Sequence, residues 1–151
     1  MAGFARILVG TDFGEASDAA VNCARVLAWT FGASLALVHV VEDVEADLLM
    51  AGGSIAVSEA RQSKTNAEAR ARLAAVAATV RQEGLEPTTA LLVGEPAQEV
   101  LQYAADHLCD LIVVGTHGRR GIGRLLFGSV AESIVRGAPC PVLTVSHEFH
   151  V

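Results

Sequence analysis

Between an apolar run, Leu111-Ile112-Val113-Val114, and a helical pattern, Val130-Ala131-Glu132-Ser133-Ile134-Val135, lies the stretch of this chain richest in chemistry. It reads Gly115-Thr116-His117-Gly118-Arg119-Arg120-Gly121-Ile122-Gly123-Arg124-Leu125-Leu126-Phe127-Gly128-Ser129. Five glycines fall within the fourteen residues 115–128, more than one turn requires. A glycine-rich loop that leads into a helix lets backbone N–H groups close on an anion, because glycine has no side chain in the way and tolerates positive φ. Three arginines, at 119, 120 and 124, and no acidic residue occupy the stretch, in a chain of net charge −6. The pattern points to a phosphate-bearing ligand. Gly115 and Gly118 would pass close to a sugar and phosphates. Gly128 and Ser129 would open the helix with unpaired N–H groups and a hydroxyl, and Ser129 is equally a plain helix cap. Arg119, beside Gly118, is the arginine best placed for phosphate; His117 reads as solvent-facing.

A second candidate stands far away in sequence. Asp12 ends the apolar run Arg6-Ile7-Leu8-Val9-Gly10-Thr11. Its carboxylate could hydrogen-bond a base or ribose, hold a divalent ion that bridges phosphates, or cap the helix that follows. Thr11 would act through its backbone. Val40 and Val41 close the next apolar run and could form a shelf under a flat base, while His39 reads as packed in the sheet.

What is missing argues against several chemistries. Gly123 to Ser129 has the two glycines of a phosphate loop but no lysine after the second, and the chain's one lysine is Lys64. No GxGxxG follows the first apolar run. Gly10-Thr11-Asp12-Phe13-Gly14 carries neither an SGGxDS nor an HxGH signature of nucleotide-transferring enzymes. Val93-Gly94 and Ser146-His147 stand where a phosphoacceptor domain needs aspartate and lysine. A flavin carrier would place its glycine loop after the first strand and flank the flavin with aromatic residues.

These residues require elements to bring them together. Apolar runs at 6–11, 34–41, 87–93, 110–115 and 142–145 read as strands. Helical patterns run from Ala16 to Phe31, Ser58 to Glu83, Pro96 to about His107, and along 130–135. Residues 44–57, broken by Met50-Ala51-Gly52-Gly53-Ser54, read as a mobile loop with room for a short helical turn. Nearly continuous apolar strands alternating with helices predict a single α/β domain over 1–151, an open doubly wound parallel five-stranded sheet with helices on both faces. With strand order 3-2-1-4-5, ligand would sit where that order reverses, between the ends of strands one and four. Asp12 and the glycine loop would meet there.

Composition agrees. A 151-residue chain, 52% apolar and 19% charged, buries about 70% of its unfolded surface and needs no metal or disulfide staple. Cys23, Cys109 and Cys140 have no CxxC spacing, which suits free thiols in a reducing, cytoplasmic compartment. No apolar run approaches the ~20 residues of a membrane span, and the acidic balance is wrong for nucleic acid.

Read together, Gly115-x2-Gly118-x9-Gly128-Ser129, the opening Ile7-Leu8-Val9-Gly10-Thr11-Asp12, the Gly94-Glu95-Pro96 helix start and the ending Ala138-Pro139-Cys140-Pro141-Val142-Leu143 closely resemble the universal stress protein family. The resemblance implies a regulatory domain that binds an adenine nucleotide, usually ATP with magnesium or manganese. It places Asp12 and Val40 at the nucleoside end, with Gly115 and Gly118 along ribose and phosphates. Gly128, Ser129 and Val130 would then meet phosphates. It also implies a homodimer through the last strand, Val142 to Val145, and a protein partner of unknown identity; slow ATP hydrolysis, or a nucleotide-dependent enzyme of the wider adenine-nucleotide α-hydrolase-like group, stays as the alternative to a binding protein. Gly10 and Gly14 depart from residues common in the family, proline or alanine and serine respectively, and the second departure implies a looser loop after Asp12.

Overall fold

Alternation within each apolar strand decides the architecture, because successive side chains leave opposite faces of a sheet. The computed structural model describes residues 3–116 and 128–151. Its strands are β1 (Arg6–Gly10), β2 (Ser34–Val41), β3 (Thr88–Val93), β4 (Leu111–Gly115) and β5 (Val142–Val145). They form one parallel sheet in the order β3-β2-β1-β4-β5. The helices are α1 (Glu15–Phe31), α2 (Val44–Met50), α3 (Ile55–Gln82), α4 (Pro96–Asp106) and α5 (Ser129–Gly137).

Ile7, Val9, Leu35, Leu37, Leu111 and Val113 face α1 and α3, where Ala20, Ala24, Ala28, Leu73, Ala77 and Val80 meet them. The intervening residues Leu8, Val38, Ile112 and Val114 face α4 and α5, against Ala97, Val100, Ala104, Ala131 and Ile134. Small alanines on α1 let that helix lie close to the sheet. The central strands β1, β2 and β4 are therefore covered on both faces and lack the polar alternation of a half-exposed sheet, whereas the edge strands β3 and β5 keep exposed residues such as Val93 and Leu143.

The expected strand order and double winding are observed. The reading of residues 44–57 as a loop is corrected. Asp43 caps α2 by accepting the Ala46 N–H at 2.9 Å, and Ser54 caps α3 by accepting the Val57 N–H at 3.2 Å. The Gln62 side-chain oxygen then accepts the N–H groups of Val44 and Glu45, at 2.8 and 3.2 Å, and ties α2 onto α3. Gly52-Gly53 punctuates two helices rather than dissolving them. Among the described residues no helix is long and apolar enough to cross a membrane.

Candidate functional site

The reversal of strand order leaves a cavity of about 340 Å³ over the carboxyl ends of β1 and β4. That volume lies within the ~300–1,000 Å³ range of small-molecule sites. Val40, Val100, Val114, Ala131 and Ile134 give it an apolar side. Its polar side comes from the turn after β1 and from the ends of β4 and β5.

The turn after β1 is tightly organised. Thr11 is buried, its N–H donates to the Val38 carbonyl at 2.9 Å, and its hydroxyl accepts the Phe13 N–H at 3.0 Å. Asp12 Oδ1 accepts the Gly14 N–H at 2.8 Å and the Ser17 hydroxyl at 2.6 Å. The Ser17 oxygen in turn accepts the Asp12 N–H at 3.0 Å. His39 Nδ1 lies 2.6 Å from the Thr11 carbonyl. A carbonyl only accepts, so this nitrogen carries the proton. Phe13 adopts φ +66°, its ring tilted over His39 at 4.4 Å between centroids and the Arg72 guanidinium 4.5 Å from the Phe13 ring centroid. Stacking and cation–π attraction hold a backbone conformation that a bulky residue otherwise avoids. The expectation that His39 is merely sheet packing is thus incomplete: it braces the turn and lines the cavity.

Gly115 has a packing reason to be glycine. A Cβ there would stand 2.5 Å from the Ala16 carbonyl carbon and 2.8 Å from the Ser17 nitrogen. The first turn of α1 lies directly against the end of β4, and only a residue without a side chain permits it.

Three helices begin at the cavity, and they differ in how their first N–H groups are satisfied. Glu95 caps α4 with its own carboxylate, accepting from Ala97 and Gln98 at 3.2 and 2.8 Å. The cap residues of α1 and α5 are Gly14 and Gly128, and neither supplies a side-chain bond. The start of α1 is acidic, with Glu15 and Asp18. Burial, then Asp12 and Glu15 nearby, raises the Asp18 carboxyl above its ordinary range. An anion is therefore poorly received at α1, whereas the start of α5 has a single acidic residue, Glu132, paired with Arg136 at 2.7 Å, and with Gly128 and Val130 on the cavity wall suits one better.

Of the residues singled out in the sequence, Thr11, Asp12, Val40, Gly115, Gly128 and Val130 line this cavity together. Ser129 is exposed and is not on its wall, and Val41 is buried in the sheet, so only Val40 serves as a shelf. Gly118 and Arg119 lie outside the described residues. Sequence reasoning missed Ser17, hidden in an ordinary helix start, and His147, which lines the cavity from beyond β5. Topology carried the signal for His147, since β5 neighbours β4 and ends at the same edge. Among the described residues no three His, Cys, Asp or Glu side chains form a metal cluster. Burial pushes all three thiols upward, which leaves them poor nucleophiles.

Fold and site together define an open α/β domain with a small-ligand crevice at the switch point of its parallel sheet. The Universal stress protein family matches residues 3–146, and the chain belongs to that family. Universal stress protein MJ0531 of Methanocaldococcus jannaschii is 33% identical over 142 residues, 94% of this chain and 82% of that one. The structure of MJ0577 superposes with a TM-score of 0.83, covering 99% of this chain and all 100% of that one; at 23% identity this likeness shows the fold. A universal stress protein solved in complex with cAMP is 26% identical, with a TM-score of 0.73, covering 97% and 100% of the two chains.

Proposed function

We propose that the cavity binds an adenine nucleotide, ATP being the leading candidate, and that the protein acts as a nucleotide-dependent regulator rather than a rapid enzyme. One observation carries this reading: the apolar wall at Val40, the carboxylate of Asp12 and the uncapped start of α5 line a single cavity. Those are respectively a surface for a flat base, an acceptor for base or ribose, and a receiver for phosphate. The family member that holds cAMP supports it.

In this reading Val40 and Asp12 meet the nucleoside, with Thr11 beside them. Gly115 and Gly118 follow the ribose and phosphates, and Gly128, Ser129, Val130 and Arg119 meet phosphate. Magnesium or manganese would be held by Asp12 together with the phosphates. One carboxylate plus ligand oxygens is a usual way to hold magnesium, and it agrees with a site lacking a protein-only metal cluster among the described residues. Hydrolysis would be slow. Ser17 donates its hydroxyl proton to Asp12, and His39 donates its Nδ1 proton to the Thr11 carbonyl.

The regulatory output would pass through a homodimer and a protein partner, in the cytoplasm. β5 is an edge strand, and its Leu143 is exposed. An open β-branched edge is a natural pairing surface. Native mass spectrometry of freshly purified protein tests both claims: ATP retained on a dimer supports them. A species that takes up no adenine nucleotide with magnesium would overturn the binding, and a monomer at all concentrations the assembly.

A further inference from the structure

His147 follows β5 and lines the cavity at the opposite end of the sheet from Val40. Its ring is half-buried, yet its Nδ1 atom is fully buried and has no hydrogen-bond partner among the described residues. A buried polar atom left unpaired is costly and rare in native proteins, and one on the wall of a ligand cavity is accounted for if the ligand supplies the partner. The other polar side chains of the cavity show the contrast. Thr11, Ser17 and His39 are all bonded within the protein. Among the described residues, only His147 brings to this wall a buried side-chain nitrogen with nothing to bond.

Its position selects which part of the ligand it meets. The cavity is lined by the ends of β2, β1 and β4, which neighbour one another in that order, with the apolar shelf at Val40 on β2 and His147 from the segment that follows β5. The start of α5, which leads into β5, stands at the other end. A base seated on Val40 would therefore direct its phosphates toward the end where Gly128 and His147 lie.

We infer that His147 is a ligand-contacting residue of the cavity: its Nδ1 is closed off in this structure, and a turn of the half-buried ring on binding lets the Nδ1–H donate to a phosphate oxygen of the nucleotide; this rests on the nucleotide reading above. A nitrogen donor facing a phosphate makes a charge-assisted bond, the stronger kind. His147 would then favour phosphorylated ligands over the bare nucleoside, a preference that backbone N–H groups alone supply less sharply.

Calorimetric titration with adenosine and with ATP, on the unsubstituted protein and on His147→Ala and His147→Asn, tests this. His147→Ala is expected to weaken ATP on the order of tenfold, the loss of one charged hydrogen bond, and to leave adenosine within about twofold. His147→Asn, whose amide nitrogen stands near the place of Nδ1, is expected to recover most of the loss and to serve as the control for folding. ATP affinity unchanged in His147→Ala overturns the inference, as does an equal loss for adenosine or an Asn variant no better than Ala. Unsubstituted protein that binds neither compound overturns the nucleotide reading and this inference with it. Binding of ATP that ignores His147 overturns only the latter.

Discussion

The Ser17 hydroxyl donates to Asp12 Oδ1 at 2.6 Å and accepts the Asp12 N–H at 3.0 Å, so one buried side chain fixes both ends of the same residue. Ser17 sits in the first turn of α1, and the pair couples the start of that helix to the end of β1. The Asp12 carboxylate is thereby aimed before any ligand arrives. Ser17→Ala removes the hydroxyl, which takes the acceptor from the Asp12 N–H and a donor from its carboxylate. A loss of about 1–3 kcal/mol in folding stability is expected, read by urea denaturation. Nucleotide affinity should fall as well, because the carboxylate is no longer held. Retained stability together with retained affinity would show that the pair positions nothing.

Gly115 makes a different kind of contact with α1, one of exclusion. A methyl group at this position meets the backbone of Ala16 and Ser17 rather than any flexible side chain. Backbone cannot move aside without shifting the helix, so Gly115→Ala should cost about 1–3 kcal/mol or more in nucleotide-free protein. The midpoint of chemical denaturation, measured without ligand, separates this packing role from a ligand-approach role. An unchanged midpoint with weakened binding would assign the glycine to the ligand alone.

The two glycines that frame the site show why the sequence was readable in one respect and not in another. Strands with nearly unbroken apolar runs are covered on both faces, and that constraint, with right-handed crossovers, points to a doubly wound parallel sheet; in the order 3-2-1-4-5, which is the one observed, the crevice falls between β1 and β4. Asp12, Val40, Gly115 and Gly128 were legible as neighbours for that reason. What Gly115 avoids was not legible, because Ala16 and Ser17 are distant in sequence and carry no motif. The helix α2 was missed because its caps, Asp43 and Ser54, flank a Gly-Gly pair that outweighs them in a local reading. His147 was missed because a residue past the last strand has no periodicity to place it; only the pairing of β5 with β4 brings it to the cavity.

Asp18 gives the site a pH-dependent signature. Burial first, then the carboxylates of Asp12 and Glu15, raises its folded-state pKa above the ordinary value of 3.8. The folded protein therefore holds the Asp18 proton more tightly than the unfolded chain does. Its stabilising contribution is complete below the unfolded value and is lost as pH rises through the folded one. At neutral pH the ionised group opposes folding. Asp18→Asn removes that charge, so thermal melting at pH 7 should move upward and the gain should vanish on acidification below the ordinary carboxyl range. A gain that persists in acid would place the effect in packing rather than in charge.

Asp12 can serve the nucleoside directly or through a divalent ion, and Asp12→Asn distinguishes the two. The amide oxygen still accepts from Gly14 and Ser17, so the turn after β1 keeps the bonds that hold it. The negative charge is lost, and the second carboxylate oxygen is replaced by an amide donor. Magnesium is a hard cation that binds through carboxylate and phosphate oxygens, and a neutral amide is a much weaker ligand for it. The proposed role through the ion predicts that Asp12→Asn weakens ATP by about tenfold in magnesium, a change of about 1.4 kcal/mol, and changes it little when a chelator is present. Titrations of both proteins in the two buffers provide the comparison. An equal loss in chelator would instead place the carboxylate on the base or ribose, where its acceptor strength matters and the metal does not.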